Sequence, residues 1–507
     1  MRMHELLERN ALRAPEKTFL FSESRSINNR DALEAVEKAA LAFRSLGIKI
    51  GDRVLVFAPN SIDYVIAMFA VFKLGAIASL IDVLDPESYQ RNVKRLAPKL
   101  VVSTSEHIDE LRKSSPKTAK FISFDEGTEH AHKWQALLAH PQRTVRSDFK
   151  EDAPCHLSFT SGTTYKPKPA VLSHEPTIRA TRCIAERLGL TSDDTSMGIT
   201  TLSSSHILVY AILPQMHRIA TTGIMETWNP SLALKMIDEH EVRLMSGTAI
   251  RLSELADYAN EHSVGKGRLR LILSGGSAGI GKIREKWERL GVHFTETYGM
   301  SELGGAVATG YPRRFGSKPV KPFENIPAIG PPLPDKEVKI VDEAGREVPV
   351  GTPGDILIRG GSMWGYWKMP KETEKATRGG WLHTSDIGLM DELDNVYWLA
   401  RKTDVIHTEK GPVYPRVIEE ALFAHKSVRQ ASVVGVGETG HQVPAGFVTL
   451  FPGETASEEK LLSHCRSALS EPYWPSKIVI KSSFPMTPTG KIDKKQFKHE
   501  IQLEPLA

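Results

Sequence analysis

Short β-rich runs, each followed by a longer helical run, constrain the fold of this chain more than any other feature. Val54-Leu-Val-Phe57 precedes the helical pattern Ile62 to Leu74, and Leu271-Ile-Leu273 precedes Ile280 to Leu290. Such alternation predicts α/β layers. From about Val338 the texture changes to strands and turns, with Val338-Lys-Ile-Val341, Asp355-Ile-Leu-Ile358 and Asn395-Val-Tyr-Trp398 separated by Gly, Pro and Asp. That pattern predicts an antiparallel or β-barrel-like subdomain. A fresh α+β pattern begins after Arg401, in Val417 to His425, Ala431 to Val436, Phe447 to Phe451, Lys460 to Leu469 and Lys477 to Ile480. The 507 residues therefore divide into a large N-terminal domain, 1–400, and a small C-terminal one, 401–507. The most apolar stretch, Tyr64 to Ile81, is broken by Lys73 and Gly75, so it reads as a buried helix running into a strand rather than a membrane span.

Composition removes several function classes. A net charge of +4 with 25% charged residues gives no strong attraction to nucleic acid or anionic membrane. Cys155, Cys183 and Cys465 are too few and too scattered for a disulfide framework or a zinc cluster, and they fit small core positions in a reducing cytoplasm. Acidic residues interrupt the first ten positions where a signal peptide would be apolar, so export is not expected.

Chemistry is concentrated in Thr160-Ser-Gly-Thr-Thr-Tyr-Lys-Pro-Lys168, which holds four short hydroxyls, one glycine and two lysines in nine residues after an apolar run. Backbone N–H groups converge on an anion in such turns, hydroxyls add donors or touch a metal, and lysine supplies compact positive charge. A nucleotide triphosphate is the ligand this pattern suits, although Ser, Thr and Gly clusters also mark ordinary surface loops. Two other matches are decoys. Gly276-Ser-Ala-Gly-Ile-Gly281-Lys282-Ile283 has P-loop spacing, but Ile283 stands where a Ser or Thr must hold magnesium. Gly435-Val-Gly437-Glu-Thr-Gly440 follows a strand-like run, yet Pro444 and the lack of helical periodicity after it make it a turn between two strands.

The order of several short motifs carries a resemblance across nearly the whole chain. Thr160 to Lys168 with Leu172-Ser-His174, Thr297-Tyr-Gly-Met-Ser-Glu302, Trp381-Leu-His-Thr-Ser-Asp386, Ala400-Arg401 and Pro488-Thr-Gly-Lys491 resemble, in sequence order, the signatures of adenylate-forming enzymes: acyl-CoA synthetases, peptide-synthetase adenylation domains and beetle luciferases. The resemblance implies a mobile C-terminal domain that turns about a residue here numbered Thr403. It implies that Thr160, Ser161, Gly162, Thr163, Thr164 and Lys168 hold the phosphates of ATP, that Thr297, Tyr298, Gly299, Met300 and Ser301 line the adenine, and that Gly275, Gly276 and Ser277 belong to the same nucleotide side. Asp386 and Arg401 would bind the ribose, Glu302 and Thr164 would hold Mg2+, and His206 would gate the acyl pocket. Lys491 would be the catalytic lysine, assisted by Lys168. Charge neutralisation is what the reaction demands, because a carboxylate must attack the α-phosphorus of a polyanion.

The resemblance further implies activation of a carboxylic acid to an acyl-adenylate, then transfer to CoA. Thr200 to Leu213 and Thr248 to Leu255 offer no cationic partner for a second charge on the substrate, so an apolar acid is expected. Departures from the family pattern keep other acceptors open: a carrier protein, an amine, or an internal hydroxyl that closes a β-lactone. A nucleotide-binding protein without turnover is a further alternative, and a homodimer is compatible. Tyr165 stands at a usual glycine, where a positive φ would cost about 1 kcal/mol or more. Pro169 stiffens the loop exit. Ser301 for threonine and Ser385 for glycine read as mild. Lys410 replaces glycine in Ile406 to Pro415, where Glu409 and Lys410 would either obstruct a CoA tunnel or, with Gly411 restoring the turn, meet CoA phosphates.

Overall fold

The computed structural model describes residues 1–81, 86–139, 144–159, 167–203, 205–262, 268–275, 280–310, 323, 326–361, 363–486 and 492–503. The predicted alternation becomes two eight-stranded sheets. One orders its strands Gly305–Thr309, His293–Met300, Leu271–Gly275, Leu244–Ser246, Thr195–Gly198, Thr221–Ile224, Thr18–Phe21 and Ser26–Asn28. All its pairings are parallel except those of the two edge strands, which leaves the middle strands buried on both faces. The other sheet runs Gly365–Tyr366, Pro169–Ser173, Pro154–Phe159, Ile77–Leu80, Arg53–Phe57, Leu100–Ser103, Lys120–Ser123 and His132–Lys133. Pro169 fits because it opens its strand, where a missing N–H is tolerated.

The apolar stretch is a buried helix, Ile62–Lys73, followed by the strand Ile77–Leu80. Lys73 is buried but paired, 2.8 Å from Glu37 and 2.5 Å from Glu8, which is how a buried cation is tolerated. Gly75 lies at φ +65° with a Cβ position 2.6 Å from the Phe149 ring, so no side chain fits there. No described helix is long and apolar enough to cross a membrane. All three cysteines are free and buried.

The region after Val338 is a four-stranded antiparallel sheet, Glu337–Val341, Gly354–Arg359, Leu382–Met390 and Val396–Arg401. A 3-10 turn, Lys402–Asp404, leads from it into the hairpin Ile406–Thr408 and Gly411–Val413, and then the helix Pro415–Ala424. The C-terminal domain is completed by strands Val428–Val436, Val443–Leu450 and Lys477–Lys481 with helices Glu458–Ala468 and Lys494–Leu503. Its apolar core is continuous with the four-stranded sheet: Ile387, Leu389, Tyr397 and Leu399 share one buried cluster with Val413, Tyr414, Val417 and Ile418.

The Gly435 to Gly440 decoy resolves as the sequence predicts. Gly437 to Gly440 lie in the turn between the antiparallel strands Val428–Val436 and Val443–Leu450. Of the P-loop-like run, residues 276–279 lie outside the described residues, and Lys282 is engaged elsewhere: its Nζ donates to the carbonyls of His425 at 3.1 Å and Val428 at 2.8 Å, beyond the end of helix Pro415–Ala424. Burial pushes this lysine down to about 8.

Candidate active site

Two described strands flank the segment expected to bind phosphate. Pro154–Phe159 enters the loop and Pro169–Ser173 leaves it, paired antiparallel, so both loop ends emerge at one sheet end. Thr160, Ser161, Gly162, Thr163, Thr164 and Tyr165 themselves lie outside the described residues, as do Gly276, Ser277 and Lys491. Lys168 is described at the exit, with Nζ 5.0 Å from the ring centre of Tyr366. The same tyrosine donates its hydroxyl to Glu302 Oε1 at 2.8 Å. Burial and the Glu302 charge push the Tyr366 phenol far up, so it stays protonated and keeps donating. The phosphate-side cation and the carboxylate expected to hold a metal thus meet on one aromatic ring.

Glu302 sits in the short 3-10 turn Ser301–Leu303 that ends the strand His293–Met300, and its carbonyl accepts from Met363 N at 2.7 Å. Tyr366 engages Glu302 through Oε1, and no other side-chain partner of this carboxylate is found among the described residues. A single carboxylate completed by phosphate oxygens and water suits magnesium, so the residues present fit that ion.

Thr297, Tyr298, Gly299 and Met300 form the end of that strand, in register with Gly275 on the neighbouring strand at Thr297. A Cβ on Gly275 would lie 2.0 Å from the Thr297 carbonyl, which explains the glycine. Tyr298 is buried and donates to Asp386 Oδ2 at 2.8 Å. Trp398 Nε1 donates to Asp386 Oδ1 at 2.9 Å, and Arg401 Nε lies 3.2 Å from the same oxygen. The residues expected at adenine and at ribose are therefore joined directly, and a buried carboxylate is held by three donors.

His206 is half-buried beside Tyr210, with ring centres 4.7 Å apart, in a segment that winds as a π-helical turn over Leu208–Ile212. Burial pushes its imidazole down to about 4, so it is neutral at physiological pH and carries no charge toward a phosphate. Beside it, Ser205 and Ser158 share a hydrogen bond at 2.8 Å. Tyr210 reaches Thr297 with its hydroxyl, which links the π-helical turn to the adenine strand.

Two expectations change in detail. Ser385 is not a mild replacement: it adopts φ +61°, the left-handed region where a Cβ is strained, immediately before Asp386. The Lys410 departure is accommodated, because Gly411 at φ +112° supplies the hairpin turn. Lys410 instead pairs with Glu471, and Glu409 lies 2.8 Å from His441.

Sequence reasoning missed Tyr366 and Arg416. The Gly365-Tyr-Trp367 run held a β-type signal for the former, since Gly365–Tyr366 adds to the edge of the strand leaving the loop. Arg416 is 1% exposed in the helix Pro415–Ala424, and its Nη2 donates to both oxygens of Glu296 at 2.9 Å. Nothing local signals a pair that spans 120 positions.

The described residues expected at adenine, ribose and magnesium thus lie in one hydrogen-bonded region. The profile of the AMP-binding enzyme family matches residues 7–367, and that of its C-terminal domain matches residues 417–491. This chain belongs to the AMP-binding enzyme family. The long-chain-fatty-acid–CoA ligase of Bacillus subtilis (strain 168) is 26% identical over 540 residues, covering 98% of this chain and 94% of that protein. The 2-succinylbenzoate–CoA ligase of Geobacillus sp. (strain WCH70) is also 26% identical, covering 98% and 97%. The crystal structure of the anthranilate CoA ligase AuaEII with anthranoyl-AMP matches with TM-score 0.92 at 22% identity over 99% of this chain and 98% of that one. ATP-bound MatB from Rhodopseudomonas palustris matches with TM-score 0.88 at 22% identity over 99% of each. These likenesses show the shared fold.

Proposed function

We propose that the protein is an AMP-forming acid–CoA ligase that activates an apolar carboxylic acid with ATP. The observation that carries the reading is the meeting of Lys168 and Glu302 on Tyr366, with Tyr298, Asp386 and Arg401 joined in the same region. Lys168 neutralises pyrophosphate charge, and Glu302, fixed by Tyr366, would hold magnesium, which would supply further charge neutralisation at the phosphates. Asp386 and Arg401 orient the ribose. The acid carboxylate attacks the α-phosphorus, the bond to the bridging oxygen breaks, and pyrophosphate leaves. Lys491, by family resemblance, steadies the reacting oxygens. The acyl group lies by His206 and Tyr210, whose neighbours Val209 and Ile207 are apolar and buried. A neutral His206 suits an apolar neighbour and works by position rather than by charge. The C-terminal domain then turns about Lys402–Asp404, and the CoA thiol displaces AMP. The relative named as a long-chain-fatty-acid–CoA ligase favours an apolar acid, whereas the one named as a 2-succinylbenzoate–CoA ligase takes a dicarboxylate, so the apolar reading rests on the residues around His206.

The test is product analysis. A panel of straight-chain and aromatic acids is incubated with ATP and magnesium, with and without CoA, and AMP, pyrophosphate and acyl-CoA are quantified. Acid-dependent AMP together with acyl-CoA is expected for at least one acid. AMP formation that ignores CoA would replace the acceptor, and no AMP with any acid would remove the ligase reading.

A further inference from the structure

We propose that Arg416 is a positioning residue of the nucleotide site: it reaches out of the C-terminal domain to brace both the strand that presents Thr297 to Met300 and the tryptophan that holds Asp386. The inference rests on the nucleotide-site reading above and goes beyond it, because it makes the C-terminal domain part of the ATP site through a residue that does not touch the nucleotide.

The contacts of one side chain carry the argument. Nη2 of Arg416 donates to both oxygens of Glu296, and Glu296 immediately precedes Thr297 on the adenine strand. Nη1 donates to the Trp398 carbonyl at 3.1 Å, and the guanidinium carbon lies 5.6 Å from the Trp398 ring. Trp398 in turn donates to Asp386, which also accepts from Tyr298. The chain Glu296, Arg416, Trp398, Asp386, Tyr298 closes back on the strand it left. A fixed planar fork donates to both oxygens of one carboxylate and to a further carbonyl in a set geometry, which the point charge of an ammonium does not reproduce.

Neighbouring features show that the domains are fitted around this group. Glu420 lies 3.4 Å from Arg416 Nε on the same helix, and burial pushes it up to about 7 despite the arginine. Gly281 faces it: a Cβ there would sit 3.3 Å from Glu420 Oε2, so the glycine lets helix Ile280–Arg289 approach. Lys282, one residue on, caps the far end of the Arg416 helix. The glycine and lysine that imitate a P-loop in sequence are docking residues in the fold.

The experiment measures MgATP affinity by calorimetry together with thermal midpoint, for full-length R416M, R416K, E296Q and the double variant E296Q/R416M. Arg416→Met leaves Glu296 buried without its partner and can lower folding yield, whereas the double variant removes both charges and keeps the volume. Bracing predicts at least a tenfold rise in Kd for ATP in R416M and in the double variant, an intermediate rise in R416K, and a raised KM for ATP with kcat changed less than threefold in acid-dependent pyrophosphate exchange. A double variant within twofold of wild type in ATP Kd overturns the proposal, as does a series in which Kd only follows the thermal midpoint. Wild-type protein that binds ATP but exchanges no pyrophosphate with any acid removes the ligase reading, and the same Kd comparison then supports or overturns the role of Arg416.

Discussion

The C-terminal domain has two faces that each carry ion pairs, and they differ in what surrounds them. On the docked face, Arg416 and Glu296 are 1% and 3% exposed, and the arginine's N–H groups are spent on Glu296, Glu420 and Trp398. On the outer hairpin, Glu409 pairs with His441 and Lys410 with Glu471, with the first pair about three-quarters exposed. Water screens the outer pairs, so they are worth about 0–1 kcal/mol each. The inner set has no water to fall back on, and loss of one partner strands a buried charge. Both faces carry ion pairs, and burial decides the consequence.

That contrast breaks first at Glu296. Glu296→Ala is expected to destabilise the docked protein by about 3–5 kcal/mol, read as a lowered denaturant midpoint, because Arg416 remains buried without its bidentate partner. An effect below about 1 kcal/mol would mean that water or a rearranged Glu420 replaces the lost carboxylate.

Acid is the next lever, and it acts most strongly on the N-terminal domain. His4, His156, His174 and His217 are pushed by burial down to about 2, 4, 3 and 4, so they are neutral in the folded protein. Unfolded chains take up these protons near pH 6.5, so the stabilisation is complete above pH 6.5 and is lost as pH falls below it. Each histidine contributes a slope of about 1.4 kcal/mol per pH unit until its folded value is reached. Urea unfolding between pH 7 and 5 measures the slope. Glu420, raised toward 7, works in the opposite sense: its share is present below the ordinary carboxylate range and declines as pH rises through 7. Glu420→Gln should therefore leave the histidine-driven slope and remove the weaker opposing one.

At the site itself, Tyr366→Phe removes the donor to Glu302 but keeps the ring beside Lys168. A loss of about 1–2 kcal/mol of transition-state stabilisation is expected, seen as a greater magnesium requirement and a reduced kcat/KM for ATP. Unchanged magnesium dependence would separate Glu302 from the metal. Smaller still, Ser385→Gly should stabilise by about 1 kcal/mol by relieving the left-handed strain. Glu409→Ala and Lys410→Ala should both stay within about 0.5 kcal/mol of wild type in stability, which is the sharpest form of the contrast between the faces.

The sequence made the layers legible because strand and helix runs alternate with clear periods, and the C-terminal elements fall within a few residues of their expected places. Pro169 was readable as a stiff loop exit but not as the opening residue of a strand, since that depends on the partner Phe159. Ser385 was misjudged because a serine gives no hint of its φ, which is imposed by the irregular pairing between Gly354–Arg359 and Leu382–Met390. The motif order announced Lys168, Thr297 to Glu302, Asp386 and Arg401 one by one. It did not announce that Tyr298 and Trp398 share Asp386, or that Tyr366 and Arg416 tie the pieces together, because such links join strands and helices far apart in sequence. The glycine and lysine of the false P-loop show the reverse case, a local pattern whose residues serve domain docking.

The most direct test of the central claim is isotope exchange between pyrophosphate and ATP in the absence of CoA, run with and without each acid of the panel. The account predicts exchange only when a suitable acid is present, since reversal requires an acyl-adenylate and not a thiol. Exchange without any acid, or none with any acid in a protein that binds ATP, would contradict it.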